Sequence, residues 1–81
     1  MLTDSEVLKN LSLNVQRLLA DRQMSQSDLA RKTGDPQPTI SRMLRCQQMP
    51  NIAILSRIAE AFDVSLDRLV AAPQKLEKTS A

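Results

Sequence analysis

Five polar side chains between positions 37 and 45 carry groups that could bind the base edges or phosphates of double-stranded DNA. They are Gln37, Thr39, Ser41, Arg42 and Arg45. A glutamine amide can bond adenine twice, an arginine can bond guanine twice, and a threonine methyl can touch the methyl group of thymine. Ile40, Met43 and Leu44 recur among them at helical spacing, so we expect the polar set to share the outer face of one short helix.

A second short helix is predicted immediately before this one. Ser25 is a good N-cap, and Asp28 three residues later completes a capping box, so the helix is expected to begin at about Gln26. It should run to Thr33 and stop at Gly34, because glycine adopts the left-handed conformation at little cost.

Two prolines then mark the start of the outward-facing helix. Pro36 and Pro38 fit only in a first helical turn, where no intrahelical N–H bond is needed, and Asp35 is expected to accept free N–H groups there. The helix should end near Leu44. Two helices joined by a tight turn form a helix-turn-helix, whose second helix can enter a major groove.

The charge pattern favours a polyanionic partner. The 81 residues allow one small domain with a formal net charge of +2. No acidic residue lies between Asp35 and Glu60, whereas Arg42, Arg45 and Arg57 fall in that interval. A basic face suits nucleic acid, and the alternative is a solvated surface on which charge is merely uneven.

The composition excludes several classes of function. With no His and one Cys, the sequence has neither a His-containing catalytic triad nor a Cys/His zinc site, and we predict no enzyme activity, metal or cofactor. One Phe with no Tyr or Trp argues against single-stranded nucleic acid, which is usually gripped by aromatic stacking. The lone Cys and the lack of a long apolar run predict a cytoplasmic protein without membrane contact, and DNA binding would associate it with the nucleoid.

Three further helices complete an all-α prediction. A capping pair, Thr3 and Glu6, starts the first helix near Asp4, and it should run to about Arg22. Its core-facing positions are predicted to be Leu8, Leu11, Val15, Leu18 and Leu19. The fourth helix follows Pro50, and its predicted core stripe is Ile52, Leu55, Ile58, Ala59 and Phe62, with Asn51 as N-cap. The fifth is predicted from Leu66 to Ala71, capped by Ser65.

Several motifs at fixed spacing resemble one known family. They are Ser-Gln-x-x-Leu-Ala-x-x-Thr-Gly from Ser25, Thr-Ile-Ser-Arg from Thr39, Pro50, and Leu-x-x-Ile-Ala-x-Ala-Phe-x-Val-Ser-x-x-x-Leu from Leu55. Together they resemble the Cro/C1-type, lambda-repressor-like DNA-binding domain over about Leu11 to Leu69. The resemblance implies a compact bundle of five short helices with the helix-turn-helix at helices 2 and 3. We expect a single domain at residues 1–71, including an N-terminal extension at 1–7, and a flexible tail at 72–81.

The resemblance also implies roles for particular residues. Base reading is expected from Gln37, Ser41 and Arg42, since Pro38 occupies a position that often carries a base-reading polar residue in relatives. Gln26 lies where relatives often brace the next helix. The residues expected to contact the DNA backbone or to brace the interface are Ser25, Gln26, Thr39, Arg45, Gln47, Gln48 and Asn51.

The end of the third helix departs from the family pattern. Relatives often have Glu-Asn-Gly in the stretch that matches Leu44-Arg45-Cys46. A Cys would enter a left-handed turn only at some cost, so we expect a different loop or a slightly longer third helix. Cys46 is predicted to be a small filler rather than a reactive thiol.

Two functions from different classes remain open at this stage. The first is a sequence-specific, double-stranded-DNA-binding transcriptional regulator, acting as a homodimeric repressor on a palindromic operator. The second is an antitoxin-like or coactivator-like module that binds a protein partner. Apolar residues outside the predicted core stripes are the candidates for a dimer or partner contact: Val7, Leu13, Ile54 and Val70.

Overall fold

Five α-helices make up the described part of the chain. A computed structural model describes residues 2–73, in which the element order is α1 (Asp4–Asp21), α2 (Gln26–Thr33), α3 (Gln37–Leu44), α4 (Ile52–Phe62) and α5 (Leu66–Val70). The all-α prediction and the helix-turn-helix formed by α2 and α3 are confirmed, and no strand occurs between residues 2 and 73. Most of the predicted C-terminal tail, residues 74–81, lies outside the described residues.

Local capping accounts for the helix starts. The Thr3 hydroxyl accepts a bond from the Glu6 N–H at 3.1 Å, and the Glu6 carboxylate accepts the Thr3 N–H at 2.8 Å. Ser25 and Asp28 form the same reciprocal pair at 3.0 and 2.9 Å. Asn51 and Ser65 cap α4 and α5 through their side-chain oxygens. These predicted caps are confirmed. The sequence could predict them because each cap joins two residues that lie three positions apart.

Left-handed residues follow the ends of four helices. Gly34 has φ 83° as predicted, and Gln23, Cys46 and Asp63 have φ values of 55°, 59° and 58°. The prediction of a different loop after α3 is therefore wrong. The Cys46 N–H donates to the Met43 carbonyl at 3.0 Å and the Gln47 N–H donates to the Arg42 carbonyl at 2.8 Å. These bonds satisfy carbonyls at the helix end, and they require the left-handed turn whether or not a glycine is present.

The core lies between α1 and the other four helices. Its fully buried members include Leu11, Val15, Leu29, Ile40, Ile58, Phe62 and Leu69. The stripe predicted for α1 is confirmed, with Leu8 partly buried against the core. Ser12 is the one buried polar side chain among the described residues.

The stripe predicted for α4 was partly wrong. Ile52 is 66% exposed, whereas Ile54 packs partly buried against the core. Each residue turns a helix by about 100°, so Ile54 lies only about 40° from the face of Ile58, but Ile52 lies about 120° away. Ile54 therefore belongs to the core face of α4, and Ile52 belongs to the outer face.

Side chains of α1 and of Arg22, the residue that follows it, donate hydrogen bonds to the C-terminal ends of three other helices. The Ser12 hydroxyl donates to the Leu44 carbonyl at the end of α3 at 2.6 Å. The Asn14 amide donates to the Leu69 and Ala71 carbonyls at 2.7 and 2.8 Å, at the end of α5. Arg22 donates to the carbonyl of Phe62, the last residue of α4, at 2.9 Å. Its guanidinium carbon lies 5.7 Å from the centre of the Phe62 ring. Carbonyls at helix ends have no intrahelical partner, so α1 satisfies these groups and fastens the bundle.

Candidate nucleic-acid interface

The outer face of α3 forms an open depression. Its lining residues are Gln37, Pro38, Ser41, Arg42 and Arg45. On the opposite side of the helix, Ile40, Met43 and Leu44 are buried in the core. The three residues predicted to read bases are thus brought together with Arg45 on one surface, as the helical spacing indicated.

Two arginines give this surface its charge. Arg42 is exposed and makes no ion pair with any residue between 2 and 73. Arg45 donates from Nη1 to the Ser41 hydroxyl and from Nε to the Gln47 amide oxygen at 3.4 Å. Neither of these acceptors is charged, so both guanidinium groups keep a net positive charge with which to attract phosphate or guanine.

The third arginine of the acid-free interval serves a different purpose. Arg57 on α4 pairs with Asp35, from Nη2 to Oδ1 at 2.6 Å and from Nε to Oδ2 at 3.1 Å. These hydrogen bonds, with one from Thr33, hold the pKa of the Asp35 carboxyl below its usual range. The expectation that Asp35 caps α3 is therefore wrong: its carboxylate faces Arg57, and the N-cap position is held by Pro36 without a side-chain bond. The charge of Arg57 is therefore neutralised by Asp35, and the positive charge of this surface comes from Arg42 and Arg45.

A contact between α2 and α3 was not predicted from the sequence. The Ser27 hydroxyl donates to the Gln37 amide oxygen at 2.9 Å. The resemblance pointed to Gln26 for bracing, but the brace in this chain comes from the next residue, and Gln26 is half-buried. Ser27 is the second residue of α2 and Gln37 the first of α3. The only feature of the sequence that pointed to this contact was a hydroxyl side chain at the start of α2. Such hydroxyls are too common at helix starts to predict a specific contact with α3.

A family model for the Cro/C1-type HTH DNA-binding domain matches residues 14–75. The chain belongs to this family. It is accordingly a DNA-binding domain, as the sequence predicted. No curated protein matches the sequence.

Solved structures share the fold of this Cro/C1-type domain. A hypothetical transcription factor NHTF from Neisseria superposes with a TM-score of 0.82 at 24% identity, covering 98% of this chain and 92% of its own. An HTH_3 family transcriptional regulator from Vibrio cholerae superposes with a TM-score of 0.76 at 24% identity. That match covers 83% of this chain and 38% of the Vibrio chain, so the present chain spans well under half of that protein.

The residues of this Cro/C1-type domain that are predicted to contact the DNA backbone differ in exposure and in the hydrogen bonds that their side chains already make. The side-chain oxygens of Ser25 and Asn51 already accept the N–H groups of Asp28 and Ile54 as helix caps. Thr39 is half-buried, and Gln47 and Gln48 are exposed. Contacts from all of these residues to phosphate stay predictions.

The apolar surface of the domain differs from the predicted one. Among the dimer candidates, Leu13 is 44% exposed, but Val7, Ile54 and Val70 are half-buried, and the last two pack against the core. Among residues 2–73, the other large apolar side chains exposed to solvent are Leu2, Met49 and Ile52. Cys46 is also exposed rather than a filler, with its thiol 3.9 Å from the Leu8 carbonyl.

Two negative findings apply to residues 2–73. They contain no group of three or more His, Cys, Asp or Glu side chains arranged to hold a metal ion. None of the described helices is both long enough and apolar enough to cross a membrane.

Proposed function

We propose that this Cro/C1-type domain is a transcriptional regulator that reads a specific double-stranded DNA sequence. It binds as a symmetric homodimer and represses transcription from a palindromic operator. The recognition helix is α3, with Gln37, Arg42 and Ser41 toward the bases and Arg45 toward phosphate or base. Two-fold helix-turn-helix proteins place their recognition helices about one DNA turn apart, which is the spacing that we expect between half-sites.

The observation that carries the proposal is the composition of the depression on α3. It joins a glutamine amide, a hydroxyl and two guanidinium groups whose charge no carboxylate neutralises among residues 2–73. The acidic residue closest to α3 in sequence, Asp35, is neutralised by Arg57. A neutral-to-basic helix face with side chains that can make two hydrogen bonds to one base is suited to the major groove of DNA. The two structural neighbours described above, a transcriptional regulator and a hypothetical transcription factor, are consistent with this role.

Selection of bound sequences from random duplex DNA tests the proposal directly. We expect an imperfect palindrome, bound far more tightly than a scrambled duplex of the same length. Salt titration should weaken binding to both duplexes, because phosphate contacts release counterions, but the ratio between them should persist. Sedimentation of the complex should give two chains per duplex. Selection without any sequence enrichment would contradict the proposal.

Arginine variants separate base reading from general attraction to DNA. Arg42→Ala should cost about 1–3 kcal/mol on the selected site if the contact to a base pair is bidentate, with a smaller loss on the scrambled duplex. Arg31→Ala is the matched control, because Arg31 lies at the end of α2, pairs with Asp28 and is absent from the depression. Equal losses on both duplexes would assign Arg42 to phosphate instead.

One observation favours a second candidate function. Met49 and Ile52, three residues apart, are 40% and 66% exposed beside the end of α3 and the start of α4. Exposed apolar neighbours of this kind suit a protein contact, so an antitoxin-like or coactivator-like module is the alternative. Met49→Ser with Ile52→Ser should leave the selected DNA sequence unchanged if the chain is chiefly a DNA reader. Loss of a protein partner with intact DNA binding would favour the alternative.

A further inference from the structure

We propose that Arg45 is a specificity-determining residue that acts through Ser41. By donating a hydrogen bond to the Ser41 hydroxyl oxygen, it commits that hydroxyl to donating its own proton to a base. The inference rests on the proposed DNA-reading function and deepens it, because it names the chemical kind of base that one side chain of α3 selects.

Ser41 and Arg45 lie one helical turn apart on the outer face of α3. The Arg45 backbone N–H donates to the Ser41 carbonyl at 3.0 Å, and both residues line the depression. From the end of the helix, Arg45 Nη1 donates a hydrogen bond to Ser41 Oγ. This bond occupies one of the two lone pairs of the hydroxyl oxygen, and the hydroxyl proton stays available for DNA.

A weaker bond from the loop after α3 reaches the same guanidinium. Arg45 Nε donates to the Gln47 amide oxygen at 3.4 Å. The backbone of Gln47 is itself fixed, because its N–H donates to the Arg42 carbonyl at 2.8 Å across the left-handed turn at Cys46. Arg45 is thus placed against Ser41 before DNA binds, and less side-chain entropy remains to be lost when the complex forms.

The charge of Arg45 determines how Ser41 can use its hydroxyl. A serine hydroxyl alone can donate to a base or accept from one. A guanidinium bound to the oxygen repels a second N–H donor, and it strengthens the O–H as a donor because linked hydrogen bonds polarise one another. Neither residue contacts a carboxylate between positions 2 and 73, so no negative charge cancels this effect.

A hydroxyl committed to donation distinguishes the bases by their major-groove edges. N7 of adenine and guanine, O6 of guanine and O4 of thymine accept hydrogen bonds, whereas cytosine presents its N4 donor. We therefore expect Ser41 to favour an acceptor base and to disfavour cytosine at the position that it contacts.

The arrangement depends on residues at which the chain departs from its family. Relatives often have Asn at the position of Arg45 and Gly at the position of Cys46. A neutral asparagine brings no positive charge to the hydroxyl one turn earlier. The base preference inferred for position 41 is therefore a property of this chain rather than of the whole family.

The test compares Ser41→Ala, Arg45→Met and the double variant on the selected duplex and on its single-base variants. Ser41→Ala first identifies the base that Ser41 contacts, as the position where the ranking of the four bases changes. At that position, we expect the unmodified protein to bind cytosine about 2- to 10-fold more weakly than Ser41→Ala does, relative to the best acceptor base.

Arg45→Met should reduce this cytosine penalty to the value found for Ser41→Ala. The loss of a positive charge also weakens binding to every duplex, so the ratio between duplexes is the readout and the overall affinity is not. The double variant should show the same ratio as Ser41→Ala alone, because Arg45 affects base choice only through Ser41.

Three controls keep this role distinct from loss of charge and from loss of structure. Arg45→Lys retains a cation with N–H donors and should retain the cytosine penalty. Arg31→Ala removes a positive charge outside the depression and should leave the penalty unchanged. The melting temperature of Arg45→Met should match that of the unmodified protein, because the Arg45 side chain is exposed.

The outcomes separate this inference from the proposed function. A cytosine penalty that persists in Arg45→Met, or a preference for cytosine at the position read by Ser41, would overturn the role of Arg45. Ser41→Ala without any change in base ranking would also overturn it, and specific losses in Gln37→Ala or Arg42→Ala would then still uphold the DNA-reading function. Selection that yields no preferred sequence would remove both.

Discussion

Arg57 and Asp35 form a two-bond ion pair that ties α4 to the turn between α2 and α3. The Asp35 side chain is 8% exposed and that of Arg57 is 43% exposed. The pair has two consequences. It fastens the helix-turn-helix to the bundle across 22 residues of sequence. It also neutralises the carboxylate that lies nearest to the recognition helix in sequence, which would otherwise repel phosphate.

Removal of Arg57 should therefore affect both stability and DNA binding. Arg57→Ala leaves the largely shielded Asp35 carboxylate without its partner, so we expect the free energy of unfolding to fall. Binding to the selected and scrambled duplexes should weaken equally, because the unpaired Asp35 carboxylate repels the phosphates of any DNA sequence. Urea unfolding and fluorescence anisotropy measure the two changes.

The pair between Arg31 and Asp28 provides the matched control. Its side chains are 73% and 40% exposed. Because solvent screens such a pair, Arg31→Ala should change the free energy of unfolding much less than Arg57→Ala does. Equal destabilisation by Arg31→Ala and Arg57→Ala would contradict the structural importance assigned to Asp35.

Acid should weaken the fold partly through Asp35. Hydrogen bonds from Arg57 lower the pKa of this carboxyl below its ordinary value of 3.8. A lowered pKa in the folded state means that the contribution to stability is fully present above pH 3.8 and is lost as the pH falls through the folded-state pKa. The pKa values of Glu6 and Asp28 are also lowered, by hydrogen bonds from Thr3 and Ser25, so the whole protein has a broader acid response.

The contribution of Asp35 is isolated by comparing the unmodified protein with Arg57→Ala. In the variant, the pKa of Asp35 should move back up, and stability should decline less steeply as the pH falls below 3.8. Carboxyl chemical shifts followed by NMR report the titration of this residue directly. A titration of Asp35 that is identical in the two proteins would refute the assignment of its partner.

Glycine at position 46 should stabilise the protein. Cys46 holds φ 59°, a conformation that costs an L-residue roughly 1–2 kcal/mol and glycine very little. Part of this gain is offset by the larger entropy of glycine in the unfolded chain, so we expect Cys46→Gly to add about 0.5–1 kcal/mol to the free energy of unfolding. Cys46→Ala keeps the Cβ atom and should bring no such gain. Urea unfolding of both variants distinguishes backbone strain from any effect of the thiol.

Loss of the Ser12 hydroxyl should destabilise the bundle. Ser12 is 3% exposed, and its bond to the Leu44 carbonyl is 2.6 Å long. The Gln16 amide reaches the same carbonyl at only 3.5 Å, so it replaces the bond poorly. Ser12→Ala should therefore cost about 1–3 kcal/mol, the penalty for leaving a buried acceptor with a weak partner. Ser5→Ala, at an exposed position of the same helix, should change the free energy of unfolding by less than about 0.5 kcal/mol.

The sequence alone predicted the parts of this protein that depend on near neighbours. The Thr3–Glu6 and Ser25–Asp28 capping boxes lie within one helical turn, and the left-handed turn at Gly34 depends on one residue. Helical spacing also predicted which polar side chains lie on the outer face of α3. Such features could be predicted because their energetics are almost complete within a few residues of chain.

Only the tertiary structure determined which distant groups meet. Asp35 was expected to cap a helix beside it, but a guanidinium 22 residues away offers a charged, bidentate partner that neutral N–H groups do not match. The bonds from Ser12 and Asn14 to helix-end carbonyls span 32 and 55 residues, and no local pattern indicates them. Cys46 keeps a left-handed turn because the carbonyls at the end of α3 need partners, and that need outweighs its own backbone preference. Local sequence determines where helices begin and end, whereas the pairing of buried polar groups depends on where the whole bundle brings them together.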